Sequence, residues 1–186
     1  PKRHPVPILT MIHDMIPLTH AESHVGLRLR FLRRALVASA RSADRLVTNS
    51  DFTANEIARI AGVPRSKISV TPLGPGHAVK PVAPASVADD DLRRLGVGGP
   101  DYFLTLGTLE PRKNLPRLIE AFAGVPEPWR LAVAGGKGWA TSPVFEAATR
   151  TGLDRRIDFL GYVPDEAIAP LMARARAFVY PSVAEG

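Results

Sequence analysis

The sequence predicts an α/β protein built from strand–helix units on parallel sheets. Three observations predict it. Short apolar runs of strand length alternate with amphipathic helical stretches, joined by short links, which places consecutive strands parallel. The alternation breaks once, at residues 80–88 (KPVAPASVA), a segment of low periodicity with two prolines that reads as a linker. Charge is uneven across the break: residues 1–85 carry twelve Lys/Arg against five Asp/Glu, and residues 86–186 carry twelve against thirteen. Two units with different partners are expected, over 1–80 and 89–186, joined by a linker at 81–88.

Each element has its own signal. Residues 6–12 are an apolar run of strand length ending in His13 and Asp14. Residues 24–43 read as a helix in which Leu29, Leu32 and Leu36 form a core stripe; Arg28 lies in the same run, and Arg30, Arg33, Arg34 and Arg41 form a cationic face. A short strand at 45–48 leads through Asn49 and Ser50 into a helix ending near Ala61. Thr53 and Glu56 have capping-box spacing, and Gly62 and Pro64 are stop signals. A strand at 68–71 precedes the Gly/Pro-rich turn 73–77. After the linker come a short helix at 88–95, strand 102–106, helix 115–123, strand 130–134, helix 142–151, strand 157–160, helix 165–175 and strand 177–180. In sheets of this kind ligands bind outside the carboxyl ends of the strands. His13, residues 107–113, 135–138, 161–163 and 182–185 all fall at such ends.

The most informative stretch is 104–123, LTLGTLEPRKNLPRLIEAFA. Leu115, Leu118, Ile119 and Phe122 recur at i, i+3, i+4 and i+7, so one helix face packs on a sheet. Asn114 has N-cap chemistry, and Pro116 suits the first turn. Arg112 and Lys113 thus stand where a strand hands over to a helix N-terminus, a place whose N–H groups and dipole favour anions. Taken alone, the pair reads either as two solvated cations or as a phosphate or diphosphate site.

Composition excludes several classes. At 186 residues, 45% hydrophobic and 23% charged, the chain is ordinary globular material. With no cysteine it has neither disulfides nor Cys-ligated zinc, which fits a reducing compartment. No apolar run reaches transmembrane length, and no signal-peptide pattern is visible. Aromatics are few and no nucleic-acid motif is present, so no nucleic-acid partner is expected. The GGKG run at 135–138 is neither a dinucleotide fingerprint nor a Walker loop and reads as a tight turn, with Lys137 near enough to be weighed as a phosphate contact. Trp139 reads as a loop anchor. Asp89, Asp90 and Asp91 read as helix-start acids rather than metal ligands. His20, His24 and His77 read as surface or loop residues. The chain begins at Pro1 and stops soon after a strand, which is the expectation for a piece cut at both ends.

The segments GTLEPRKNLPRLIEAF, LAVAGGKGW and FLGYVPDEAIAPLMARARAFVYPSVAEG, in this order, resemble the donor-binding domain of retaining glycosyltransferases of the GT-B architecture, group 1 or family 4. MIHDMIPL and RLVTNSDFTANEI resemble the acceptor-side domain of the same enzymes. The resemblance implies two Rossmann-like domains with parallel sheets facing a cleft, both incomplete here. It also implies transfer of a hexose from a nucleotide-sugar, GDP- or UDP-linked, to a glycan or polyprenyl-linked acceptor with retention, as in surface polysaccharide synthesis. No catalytic metal and no cofactor are expected.

Roles follow position by position from the resemblance. Arg112 and Lys113 match the basic pair that holds the diphosphate, with Gly107 and Thr108 opening that loop. Glu185 matches the first acid of a Glu-x7-Glu motif that contacts the donor sugar and ribose; the second acid would lie beyond Gly186, so the donor site here is incomplete. Gly161, Tyr162 and Val163 match the turn beside the nucleobase; Gly161 also fits a plain left-handed turn, and Val163 packs either on the base or in the core. Taken alone, His13 at the end of an apolar strand reads as a structural residue; followed by Asp14 and Pro17 in an HD-x-x-P pattern, it matches a position near the transferred sugar, and Asp14 either orients it or caps the next turn. The cationic face of the first long helix reads either as a solvated face or as one that attracts an anionic membrane surface or a polyprenyl-diphosphate acceptor, as in a cytoplasmic protein peripheral to the inner face of the membrane. The alternatives are a non-catalytic basic module for anionic surfaces or nucleic acid, and a GT-B nucleotide-sugar epimerase.

Overall fold

The computed structural model describes residues 6–20, 27–74 and 81–186, without the side chains of residues 27–29. Arg28, Leu29, His24 and His77 therefore lie outside the described residues or side chains. The chain divides into two compact units, residues 1–74 with 184–186, and residues 75–183.

The first unit is a three-stranded parallel sheet in the order β1-β2-β3, from β1 (Leu9–Met11), β2 (Arg45–Thr48) and β3 (Ile68–Val70). Its helices are α1 (Ile16–Thr19), α2 (Leu27–Ser42) and α3 (Asp51–Ala61). Leu46 on the central strand is fully buried and packs with Ile12, Ala40, Ala54, Ile57 and Ile68. α3 shows how local sequence makes an element. Ser50 adopts extended backbone and its hydroxyl accepts the Thr53 N–H at 3.0 Å, while Gly62 (φ +65°) closes the helix by donating to Ala58. The expected capping pair Thr53/Glu56 is thereby corrected: Thr53 is buried inside the helix with its hydroxyl on the His13 carbonyl, and Glu56 pairs with Arg59. The first strand is shorter than expected, because the Ile8 N–H is taken by the Asp44 carboxylate at 2.7 Å. α1 was not anticipated; the Asp14 carboxylate accepts the Ile16 N–H at its start.

The cationic face of α2 is narrower than its sequence suggested. Arg33 donates to the Leu18 carbonyl and Arg41 to the Ala61 carbonyl, so both tie the helix to its own unit. In the described part of the helix Arg30, Arg34 and Arg41 are exposed and Arg33 is half-buried.

The second unit is a four-stranded parallel sheet in the order β6-β5-β4-β7, from β4 (Tyr102–Leu106), β5 (Arg130–Ala134), β6 (Ile157–Gly161) and β7 (Ala177–Phe178). Its helices are α4 (Asp89–Arg94), α5 (Leu115–Phe122), α6 (Ser142–Arg150) and α7 (Asp165–Arg174). β5 shows the layering by alternation: Leu131 and Val133 join the cluster formed with α5 and α6, while Ala132 and Ala134 join the opposite cluster with Leu92 and Leu171. The acids at the start of α4 make no capping hydrogen bond; Asp90 and Asp91 pair with Arg93 and Arg94, and Asp89 with Arg174. Arg174 also donates to the Val87 carbonyl at 2.5 Å, fastening the end of the 81–88 segment to α7.

Tyr102 is fully buried, and its hydroxyl donates to the Leu171 carbonyl at 2.7 Å, joining β4 to α7. Burial disfavours the phenolate and pushes its pKa up to about 12. The unfolded chain ionises this group near its ordinary value of about 10 while the folded chain keeps the proton. Its contribution is therefore complete below pH ~10 and is lost as pH rises towards ~12. Denaturation midpoints should fall across that window by several degrees, and Tyr102→Phe should flatten the fall.

Candidate functional site

The carboxyl ends of β4, β5 and β6 exit through three glycines: Gly107, Gly135 and Gly161. Hydrogen bonds run across them, from the Gly107 N–H to Ala134 at 2.9 Å and from the Gly135 N–H to Gly161 at 2.6 Å. Gly135 adopts φ +145°, and a Cβ there would lie 1.9 Å from the Gly107 carbonyl oxygen, so only glycine fits. Gly161 is in the left-handed region at φ +67°. The loops beyond the strands continue the pairing: the Leu109 N–H donates to Gly136, the Gly138 N–H donates to Leu109, and Leu109 bridges Lys137 in parallel. The expected tight turn at 135–138 is thereby corrected: after a bend at Gly135 the run is an extended segment that pairs in parallel with Leu109 and props the 107–114 loop from the side. Lys137 lies over the Phe145 ring at 5.6 Å, and Trp139 is about a third exposed.

Thr108 and Leu109 lead into a single 3-10 turn, Pro111–Lys113, which presents the basic pair immediately before α5. The expected Asn114 cap is corrected here. Asn114 sits at the N-cap position but in the left-handed region (φ +57°), where its side chain makes no capping bond; its amide donates to the Pro181 carbonyl at 3.3 Å. The segment after β7 returns onto this turn. Val183 donates its N–H to the Arg112 carbonyl at 3.0 Å, and the Lys113 ammonium meets the Tyr180 hydroxyl and lies 4.6 Å from the centroid of its ring. The Lys113 stem also runs over Gly107, where a Cβ would be 3.5 Å from it. The Arg112 guanidinium pairs with the Glu110 carboxylate at 2.5 Å, and both are largely buried.

The remaining positions are placed as follows. Tyr162 is 78% exposed, whereas Val163 is buried with Val87, Leu92 and Val97, so of its two readings core packing is the one observed. In the first unit His13 is exposed at the end of β1. Glu185 belongs to the chain end that groups with that unit, where a Cβ on Gly186 would meet the His13 carbonyl at 2.6 Å and Asp14 at 3.3 Å. The chain end thus brings Gly186, the neighbour of Glu185, to the His13–Asp14 loop from far away in sequence. Sequence reasoning missed Glu110 and Tyr180. A lone acid between Leu109 and Pro111, two residues before the basic pair, was the available signal for the first; nothing local pointed to the second.

Two parallel α/β units, one with a basic turn at its strand ends, define a Rossmann-type protein with a candidate anion site. Residues 89–186 match the family described as glycosyl transferases group 1, and residues 1–74 match glycosyltransferase family 4. The chain belongs to the group 1, family 4 glycosyltransferases. The O-antigen chain mannosyltransferase B of Escherichia coli is 35% identical over 182 residues, covering 96% of this chain and 48% of that protein. The serotype-specific mannosyltransferase WbdA of Escherichia coli is 27% identical over 95% of this chain and 23% of its own length. The crystal structure of Anabaena Alr3699/HepE in complex with UDP and glucose superposes with a TM-score of 0.77 at 23% identity, covering 96% of this chain and 47% of that one. The fold is GT-B, as the sequence predicted, and the chain spans about half the length of mannosyltransferase B and of HepE and about a quarter of WbdA. Among the described residues no helix is long and apolar enough to cross a membrane.

Proposed function

We propose that the protein carrying this chain is a retaining hexosyltransferase of the mannosyl type. It takes the sugar from a GDP- or UDP-linked donor and delivers it to a glycan or polyprenyl-linked acceptor in surface-polysaccharide synthesis, without a catalytic metal. The observation that carries this reading is the basic turn Arg112–Lys113 at the end of β4, against the start of α5. The relatedness to O-antigen mannosyltransferases and the fold shared with a UDP-binding protein support it.

In this reading residues 89–186 hold the donor, residues 1–80 form the acceptor side, and 81–88 join them. The bond between the anomeric carbon and the diphosphate oxygen breaks, and the acceptor oxygen bonds that carbon on the same face. The departing phosphate oxygen takes the acceptor's proton. Negative charge grows on the diphosphate, and the two fixed cations stabilise it as it forms. Gly107 and Thr108 let the chain pass close to the phosphates. The backbone of Gly161–Val163 and the exposed Tyr162 face the base, Glu185 contacts the sugar, and His13 orients sugar or acceptor hydroxyls.

A thermal-shift titration of the full-length protein with UDP, GDP, ADP and dTDP, with and without magnesium, tests this. The expected result is a base-selective, magnesium-independent rise, about 2.7 kcal/mol at a hundredfold excess over Kd, lost in Arg112→Ala/Lys113→Ala. No rise with any nucleotide would sink the donor reading.

The exposed Arg30 and Arg34 support a peripheral position at the cytoplasmic face of the membrane. Binding to anionic vesicles should weaken with salt and fall roughly thirtyfold in Arg30→Gln/Arg34→Gln, at about 1 kcal/mol per lost cation. Equal binding to neutral vesicles would remove this part.

A further inference from the structure

We infer that Glu110 is a positioning residue for the anion site: it fixes the Arg112 guanidinium and offsets its charge, so that a leaving diphosphate is stabilised and still released. The inference rests on the proposed donor site.

Among the described residues Glu110 is the one charged residue as buried as the apolar core, at 8% exposure. Its neighbour Leu109 is at 3%, and the adjoining turn is closed by backbone bonds from the Lys113 N–H to the Glu110 carbonyl and from the Asn114 N–H to Pro111. Neither bond uses the carboxylate, so the turn forms without it. Burying a carboxylate is costly unless it is paired, and its pair is Arg112 Nη2 at 2.5 Å. The charge-assisted bond helps to hold a long side chain in one place beside the carbonyl that receives the Val183 N–H. The same carboxylate lowers the positive potential that an incoming anion meets.

These two effects carry opposite signs in a variant that keeps the shape and removes the charge. In Glu110→Gln, Arg112 loses the buried carboxylate beside it, so the folded protein is less stable. A bound anion then supplies what Glu110 supplied, so affinity rises. A residue needed only for packing would lose both together.

The test is calorimetric titration of the full-length protein with inorganic pyrophosphate. Glu110→Gln is expected to bind it about three- to tenfold more tightly than wild type, with steeper salt dependence and a lower melting temperature. In turnover both kcat and KM fall, because product leaves more slowly. A second pair keeps the test open if that variant does not fold. Glu110→Gln/Arg112→Gln, whose two amides can still hydrogen-bond, should bind pyrophosphate more tightly than Arg112→Gln, in which a lone carboxylate repels the anion. Unchanged or weaker binding in Glu110→Gln, or in the double variant against Arg112→Gln, overturns the inference. If Arg112→Ala/Lys113→Ala binds pyrophosphate as wild type does, the donor-site reading fails and the inference falls with it. If that variant loses binding and Glu110→Gln gains none, only the inference fails.

Discussion

Replacing Arg112 and Lys113 together by alanine is expected to lower kcat/KM for sugar transfer about 1,000-fold, most of it in kcat. The proposed chemistry develops charge on the leaving diphosphate, and preorganised groups aimed at such charge are worth about 100- to 1,000-fold each. The loss in kcat should exceed the rise in KM, because the attraction is stronger to the departing diphosphate than to the intact donor. The single variants should separate two effects. Lys113→Ala removes a cation that contacts the Tyr180 hydroxyl and ring, so it should act mainly on turnover, with a smaller loss of stability than Arg112→Ala. Arg112→Ala also strands the buried Glu110 carboxylate, so it should lose about 3 kcal/mol of stability besides activity. Steady-state kinetics with urea denaturation of the same preparations would check both. Equal turnover in the double variant and the wild type would remove the pair from the mechanism.

The second large effect is structural. Gly135→Ala should destabilise the protein by about 4 kcal/mol or more, lowering the melting temperature by about 10 °C or more. The new Cβ would lie 1.9 Å from a backbone carbonyl oxygen, which no rotamer change can relieve, and φ +145° adds strain of its own. Relief requires β5 to part from β4 at its end. That breaks the bonds from Gly107 to Ala134 and from Leu109 to Gly136, and moves the loop that carries Arg112 and Lys113. Nucleotide affinity should fall with stability. Gly136→Ala is the control, since a Cβ there meets nothing within 4 Å, and it should stay within about 0.5 kcal/mol of wild type. Thermal melts of the two variants give the comparison; equal melting temperatures would contradict the steric argument.

The parallel α/β architecture and the interior strands are legible in the sequence. The strands at 45–48, 102–106 and 130–134 have the predicted bounds, because interior strands are set by their own apolar pattern. The edge strands β1 and β7 are shorter than predicted. At the start of β1 the Asp44 carboxylate takes the Ile8 N–H; beyond β7 the Val179 N–H still donates to Leu104, and the Tyr180 hydroxyl then meets the Lys113 ammonium. Asn114 shows a local rule losing to a distant one, since its amide serves Pro181, 67 residues on. The candidate site was legible as a position and not as a state. The basic pair could be read from the PRKN run, but not that Arg112 is held by a buried carboxylate, nor that Val163 lies in the core.

The sequence by itself determined the strand–helix alternation, the place of the turns and the family, because apolar periodicity and turn chemistry act over a few residues. Only the tertiary structure decided which strand-end glycines touch, which carboxylate is buried and which side chain meets each cation. Those contacts join residues brought together when the chain returns to the same sheet edge, and separation along the chain carries no information about them.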